Sequence, residues 1–447
     1  MLTKRTFLSG LVSSAALASL PATVKASTPD ATLITNVRVF DGKSDVLTEL
    51  TNVLVEGEMI KEVSPAADAA SEVPRIDGSG RTLMPGLIDN HVHLQWNQGP
   101  MEFMTARADY VAALALREAE ATLMRGFTGV RDTGGGILGI ARAIDEGVYP
   151  GPRIQACNAA VGMTAGHGDY RPRSVPPRTF GGPGITEFEA KMITIIADGV
   201  DEVLAATREQ FRQGAHFIKV FSGGAVSGLY DPLDINEYSP EELKAAVDEA
   251  KRWNTYAASH AYMDSSVRSA IDAGFACIEH CNLMTPDSME LAVEKGVWLS
   301  TQVGFFMTEI PEGFSEAQAQ RQQMARDGLD AMLRLAKEYG ANIALGTDFV
   351  GSSETKAMQL NELTLRTEWF TNAEILRQAT GDNGRLWELA GPRSPYQKGP
   401  VGVIEPGAYA DILVVNGDPI ADLSVMASAD NFDVIMKGGK VYKNTFT

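Results

Sequence analysis

The sequence predicts a parallel (β/α)8 barrel of the TIM-like kind, joined to a small β-sandwich-like domain that both ends of the chain build together. Strand-like runs alternate with amphipathic helical runs through the middle of the chain, as a barrel requires. Short alternating β segments fill the region before residue 83 and return from about Val401. The chain is also long enough, at 447 residues with 44% hydrophobic content, to bury a large core. The expected division is a signal peptide over 1–26, small-domain segments over 27–83 and 395–447, and the barrel over 84–394.

The opening residues combine Lys4 and Arg5, an apolar run from Phe7 to Leu20, and the small-residue site Val24-Lys25-Ala26. That is the pattern of a secretory signal peptide, and the run is too short and serine-rich for a stable membrane span. The expected destination is the periplasm or the exterior. Thr3 to Leu8 resembles a twin-arginine signal with Lys in the first Arg place, so twin-arginine and general secretion both remain open. The segments TLITNVRVFDG and TNVLVEGEMIKEV then read as a small sheet. Eight barrel strands follow: GLIDNHVHL, FTGVRDT, PRIQAC, HFIKVF, YAASHA, CIEHC, VWLSTQV and IALGTDF. Between them lie amphipathic runs such as SPEELKAAVDEAKRW, where Ser239-Pro240 marks a helix start. Residues 158–200, rich in Gly, Pro and Arg, read as a long loop at the barrel's catalytic end. ADILVVNGDP and DVIMKGGKVYKN supply the closing strands.

With 57 acidic against 39 basic residues, the formal charge of −18 repels phosphate backbones and anionic lipid heads, so nucleic acid is not an expected partner. No GxGxxG or phosphate-cradling loop follows any strand. Cys157, Cys277 and Cys281 are too few for a disulfide framework and read as buried small apolar residues. Strand alternation puts 277, 279 and 281 on one face and His280 on the other, with both thiols turned away from the histidine.

Of six histidines, His91, His93, His260 and His280 stand near the C-terminal ends of expected barrel strands. His91-Val92-His93 projects two imidazoles to one face, half of a metal site. Lys219 sits inside the apolar strand FIKVF, where burial favours a neutral amine able to take up carbon dioxide as a carbamate. Asp348 ends the last strand, where a carboxylate can bind a cation and accept a proton from water. His216, at the entry end of its strand, reads as structural.

The ordered series PGLIDNHVHL, FIKVF, SHAY, EHC and LGTD resembles the binuclear amidohydrolases, and the resemblance continues through ATGDNGRLWELAG and GVIEPGAYADILVVNGDP. It implies that His91, His93 and Asp348 bind one divalent metal ion, that His260 and His280 bind a second, and that carboxylated Lys219 bridges them, with zinc the expected ion. The implied reaction is addition of a hydroxide shared by the two metals to an amide carbonyl, with Asp348 carrying the proton to the leaving nitrogen.

Within that superfamily, GHGD at 166–169 and SGGAVSG after Lys219 are similar to the branch of prolidases, metallocarboxypeptidases and ochratoxin-hydrolysing enzymes. The similarity implies a dipeptide or N-acyl amino acid as substrate and release of its C-terminal amino acid. His167 would then address the substrate from above the metals, Tyr230 would donate to the developing oxyanion, and Arg131, Arg171 and Arg173 are the candidates for the substrate carboxylate. Cyclic-amide hydrolysis of the imidazolonepropionase kind, and ester or phosphotriester hydrolysis, are the alternatives. A homo-oligomer is expected from the resemblance alone.

Overall fold

In a computed structural model that describes residues 31–307 and 314–446, eight strands form the barrel. They are β1 (Leu87–Val92), β2 (Phe127–Asp132), β3 (Arg153–Ala156), β4 (Ile218–Phe221), β5 (Ala257–Met263), β6 (Cys277–Leu283), β7 (Trp298–Thr301) and β8 (Asn342–Leu345). Every pairing within β1 to β3 and within β4 to β8 is parallel. The signal peptide expected over 1–26 lies outside the described residues.

Two seams are closed by a few isolated contacts rather than by long ladders. Between β3 and β4, His216 N–H donates to Ala156 O at 2.8 Å while Ala156 N–H donates to His216 Nδ1 at 2.9 Å. Between β8 and β1, Asp348 N–H donates to His91 O at 2.8 Å. Alternation along the strands sorts the core into two layers. Phe217, Ala258, Cys277, Trp298 and Ala344 pack together inside the barrel, whereas Ile218, Ala257, Ile278, Leu299 and Ile343 pack in the layer shared with the surrounding helices. The helix Pro240–Arg252 begins as its sequence suggests: Ser239 Oγ accepts from Glu242 N–H, and Glu242 returns the bond to Ser239 N–H.

Residues 158–200 are more than a loop. Ala160–Gly162 and Thr194–Ile196 pair in parallel, the first also bridging to β4, and a short helix covers Glu187–Ala190. Apolar triplets this brief leave no periodic signature in a sequence. The alternation expected through Cys281 also fails. His280 and Cys281 adopt left-handed φ of 76° and 62°. Cys277 therefore lines the interior, its thiol 3.5 Å from Glu279, while Cys281 joins the outer layer with Ile278. The three cysteines are free and buried, as expected.

The chain ends form one mixed sheet in the order Lys440–Asn444, Phe432–Lys437, Ile412–Val415, Thr82–Pro85, Ala31–Val39, Thr51–Glu56, Met59–Ser64, with Arg75–Asp77 beside Ala31–Val39. Thr82–Pro85 runs parallel to the N-terminal strand and antiparallel to the C-terminal one. Ile412, Val414, Val434 and Met436 meet Ile34, Val37 and Val39 in the sheet's own core, while Leu413, Val415, Phe432 and Ile435 face the barrel core. A period of two with both faces buried explains the near-continuous apolar run ILVV.

Candidate metal centre

The structure brings His91, His93, His260, His280, Lys219 and Asp348 to the C-terminal mouth of the barrel. Asp348 Oδ1 lies 3.5 Å from His91 Nε2 and 3.3 Å from His93 Nε2. Ligand atoms of His91, His280 and Asp348 all fall within 4.8 Å of one another. The His280 ring sits 5.1 Å from that of His91 and 4.5 Å from that of His260, centroid to centroid. Burial holds the His91, His260 and His280 imidazoles below their ordinary pKa, which keeps them neutral and able to donate a lone pair. Burial alone would raise Asp348, yet the positive charge that the adjacent His91, His93 and His280 rings carry when protonated holds it below the usual carboxylate range.

Hydrogen bonds to the far nitrogens aim the first two rings. His91 Nδ1 lies 2.9 Å from Glu279 Oε2 and His93 Nδ1 lies 2.8 Å from Gly134 O, so each ring donates from Nδ1 and presents Nε2 to the centre. Glu279 Oε1 is in turn paired with Arg131 Nη2 at 2.5 Å, and Arg131 Nε donates to Asn90 O at 2.7 Å. Arg131 is therefore withdrawn from the substrate-binding candidates: it is fully buried beneath the centre, with its charge committed to Glu279. Sequence reasoning missed Glu279, although an acid inside a strand, with Cys277 and Cys281 two positions to either side, was a visible signal. It also missed Asp89. That carboxylate accepts from His91 N–H, Thr347 N–H, Thr347 Oγ1 and Gln359 Nε2, tying the start of the HxH pair to the residue before Asp348.

The segment after β3 lies across the mouth. His167 stacks on His260 with centroids 4.7 Å apart and planes 19° apart, and its Nδ1 lies 3.6 Å from Asp231 Oδ2. Tyr230 is near, but its hydroxyl donates to Arg171 O at 2.6 Å, so here it secures a loop rather than offering a free donor. Arg171 forks onto Asp169, with Nε at 2.7 Å from Oδ1 and Nη2 at 2.5 Å from Oδ2, which commits its charge there and leaves only a buried Nη1 without a partner. Arg173 is exposed, its guanidinium 4.7 Å from the centre of the Tyr230 ring, with no carboxylate partner among the described residues. His216 lies apart at the β3–β4 seam.

The donor set fits divalent cations on the chain's own evidence. His260 Nε2 and His280 Nδ1 are buried without hydrogen-bond partners, a state that costs about 1–3 kcal/mol per group unless something else satisfies it. Lys219 is only 2% exposed and makes no ion pair or side-chain hydrogen bond among the described residues. Imidazoles, a carboxylate and a buried lysine gathered at this end of a (β/α)8 barrel form a donor set that could hold a divalent cation.

Comparison with known proteins gives the family. The amidohydrolase family model matches residues 82–442. An ochratoxinase of Aspergillus niger is 31% identical over 408 residues, covering 88% of this chain and 82% of that protein. The crystal structure of a prolidase complexed with N-methylphosphonate-L-proline superposes with a TM-score of 0.86 at 31% identity, covering 93% of this chain and 100% of that one. A Xaa-Pro dipeptidase with bound methionine superposes at 0.79 with 27% identity, again over 93% and 100%. The chain belongs to the amidohydrolase family. Membership implies divalent metal ions and a small-molecule substrate. No helix among the described residues is long and apolar enough to cross a membrane.

Proposed function

We propose that this amidohydrolase cleaves the amide bond of a dipeptide or N-acyl amino acid and releases the C-terminal amino acid, ochratoxin A being one substrate of that class. The observation that carries the reading is the convergence of four imidazoles, buried Lys219 and Asp348 beneath a histidine, His167, that lies on His260. The ochratoxinase, prolidase and Xaa-Pro dipeptidase relatives support the bond class. His91, His93 and Asp348 would hold one cation and His260 and His280 a second. Lys219 as its carbamate would bridge them, and zinc suits the mixed nitrogen and oxygen donors. Bound cations supply the Lewis acidity that makes water nucleophilic near neutral pH. Asp348 would take a proton from the attacking water as its oxygen bonds the amide carbon, and would give that proton to the nitrogen as the C–N bond breaks. His167 hydrogen-bonds the substrate carbonyl or carboxylate from above, and Arg173, the one uncommitted arginine of the three, receives the carboxylate. The protein acts after export, as a homo-oligomer.

The test is a mass-spectrometric screen of the zinc-loaded mature chain against N-acyl amino acids, dipeptides including Xaa-Pro, and ochratoxin A. Release of a C-terminal amino acid that falls about 10²–10⁴-fold in Asp348→Asn is the expected result. No release from a protein with two metals bound sinks the substrate assignment and turns the search to cyclic amides and esters.

A further inference from the structure

We infer that Arg321, on the outer helix Glu316–Glu338, is a positioning residue for the metal centre: it fixes the loop Ala225–Asp231 and, through Asp231, the orientation of His167. The inference rests on the reading of His167 given above. The loop follows β4 directly and carries both Tyr230 and Asp231. Arg321 spends its guanidinium on three of the loop's carbonyls: Nη1 donates to Ala225 O at 2.9 Å and to Asp231 O at 2.5 Å, and Nη2 donates to Gly228 O at 2.7 Å. A planar fork with fixed donor directions can hold three carbonyls in one arrangement, which a lysine cannot.

The neighbouring Gln318 adds a fourth tie. Its Oε1 accepts from Ser315 N–H at 2.9 Å, closing the helix cap, while its Nε2 donates to Ser227 O at 2.8 Å. One amide thus joins the helix start to the loop. Within the loop, Asp231 Oδ2 accepts from Ala225 N–H at 2.8 Å, and the turn is so tight that a Cβ on Gly228 would stand 1.9 Å from Asp231 Oδ1. Asp231 is 1% exposed, and its Oδ2 stands 3.6 Å from His167 Nδ1, just beyond hydrogen-bond distance, a nitrogen that is buried with no hydrogen-bond partner among the described residues. A small shift of the loop would bring the carboxylate and this nitrogen into hydrogen-bond contact, so the loop's position governs which way the ring turns. A second tie holds the other side of the ring's backbone: His167 N–H donates to Glu237 Oε1 at 2.7 Å.

The full-length zinc-loaded Arg321→Met variant tests this, since it keeps the packed stem and removes the donors. Hydrogen exchange is expected to rise about tenfold or more in peptides spanning 222–232 and 164–170, with the barrel strands unchanged. On a substrate found by the screen, kcat should fall about tenfold, and the loss should not multiply with that of His167→Gln in the double variant. Arg321→Lys should recover part of both effects, and it replaces Arg321→Met if that variant fails to fold. Unchanged exchange at 164–170, or losses that multiply, would overturn the inference. If the wild-type chain is silent on every substrate the functional reading fails, while the exchange measurement still decides whether Arg321 governs the loop.

Discussion

Glu279 shows how much a single side chain below the centre carries. Burial by itself would raise its pKa, but Arg131, Lys219 and His91 override burial and hold it charged. It orients His91 and neutralises Arg131, both almost wholly buried. Glu279→Gln is expected to lose about 3–5 kcal/mol of stability, because Arg131 keeps a buried charge without its counterion. It should also weaken metal affinity about 10–100-fold through His91. Equilibrium unfolding and a zinc-competition titration read the two effects separately, and a variant unchanged in both would refute the assignment. The residues gathered at the mouth were legible as an ordered series, HxH, a lysine inside an apolar strand, two further strand histidines and a closing aspartate, rather than from any one of them. The fates of Arg131 and Tyr230 were not legible, since each is decided by a distant partner, Glu279 and the carbonyl of Arg171, whereas Arg171 turns back onto Asp169 only two positions away.

At the scale of elements, the β3–β4 seam depends on a histidine acting as acceptor. His216 Nδ1 takes the Ala156 N–H, and burial lowers its pKa to about 4. The ordinary value is near 6.5. Between pH 6.5 and 4 the unfolded chain therefore binds a proton that the folded chain refuses. Stability falls by up to about 3 kcal/mol as pH drops through that window and is independent of this group above it. Denaturant unfolding of the metal-free protein should show a shallower pH dependence for His216→Gln than for wild type; parallel curves would exclude the seam as a pH-sensitive joint. The eight strands were visible because each is an apolar run of useful length. The paired triplets after β3 and the left-handed turn at His280 and Cys281 were not, because three residues make no period and a backbone angle leaves no mark on residue type.

For the whole molecule, the mixed sheet welds the small domain to the barrel. Deleting residues 401–447 would strip Leu413, Val415, Phe432 and Ile435 from the barrel core and leave Thr82–Pro85 with an open edge. The shortened chain is expected in the insoluble fraction on expression, and a soluble, metal-binding product would show that the barrel stands alone.

The same sheet sets a timetable. Thr82 Oγ1 donates to Gly417 O, 335 positions further along the chain. At 5–20 residues per second a ribosome takes roughly 20–70 s to cover that interval. During it the earliest β segments have no finished neighbour on that side, and a nascent chain must be shielded from its own kind until its last fifty or so residues are out.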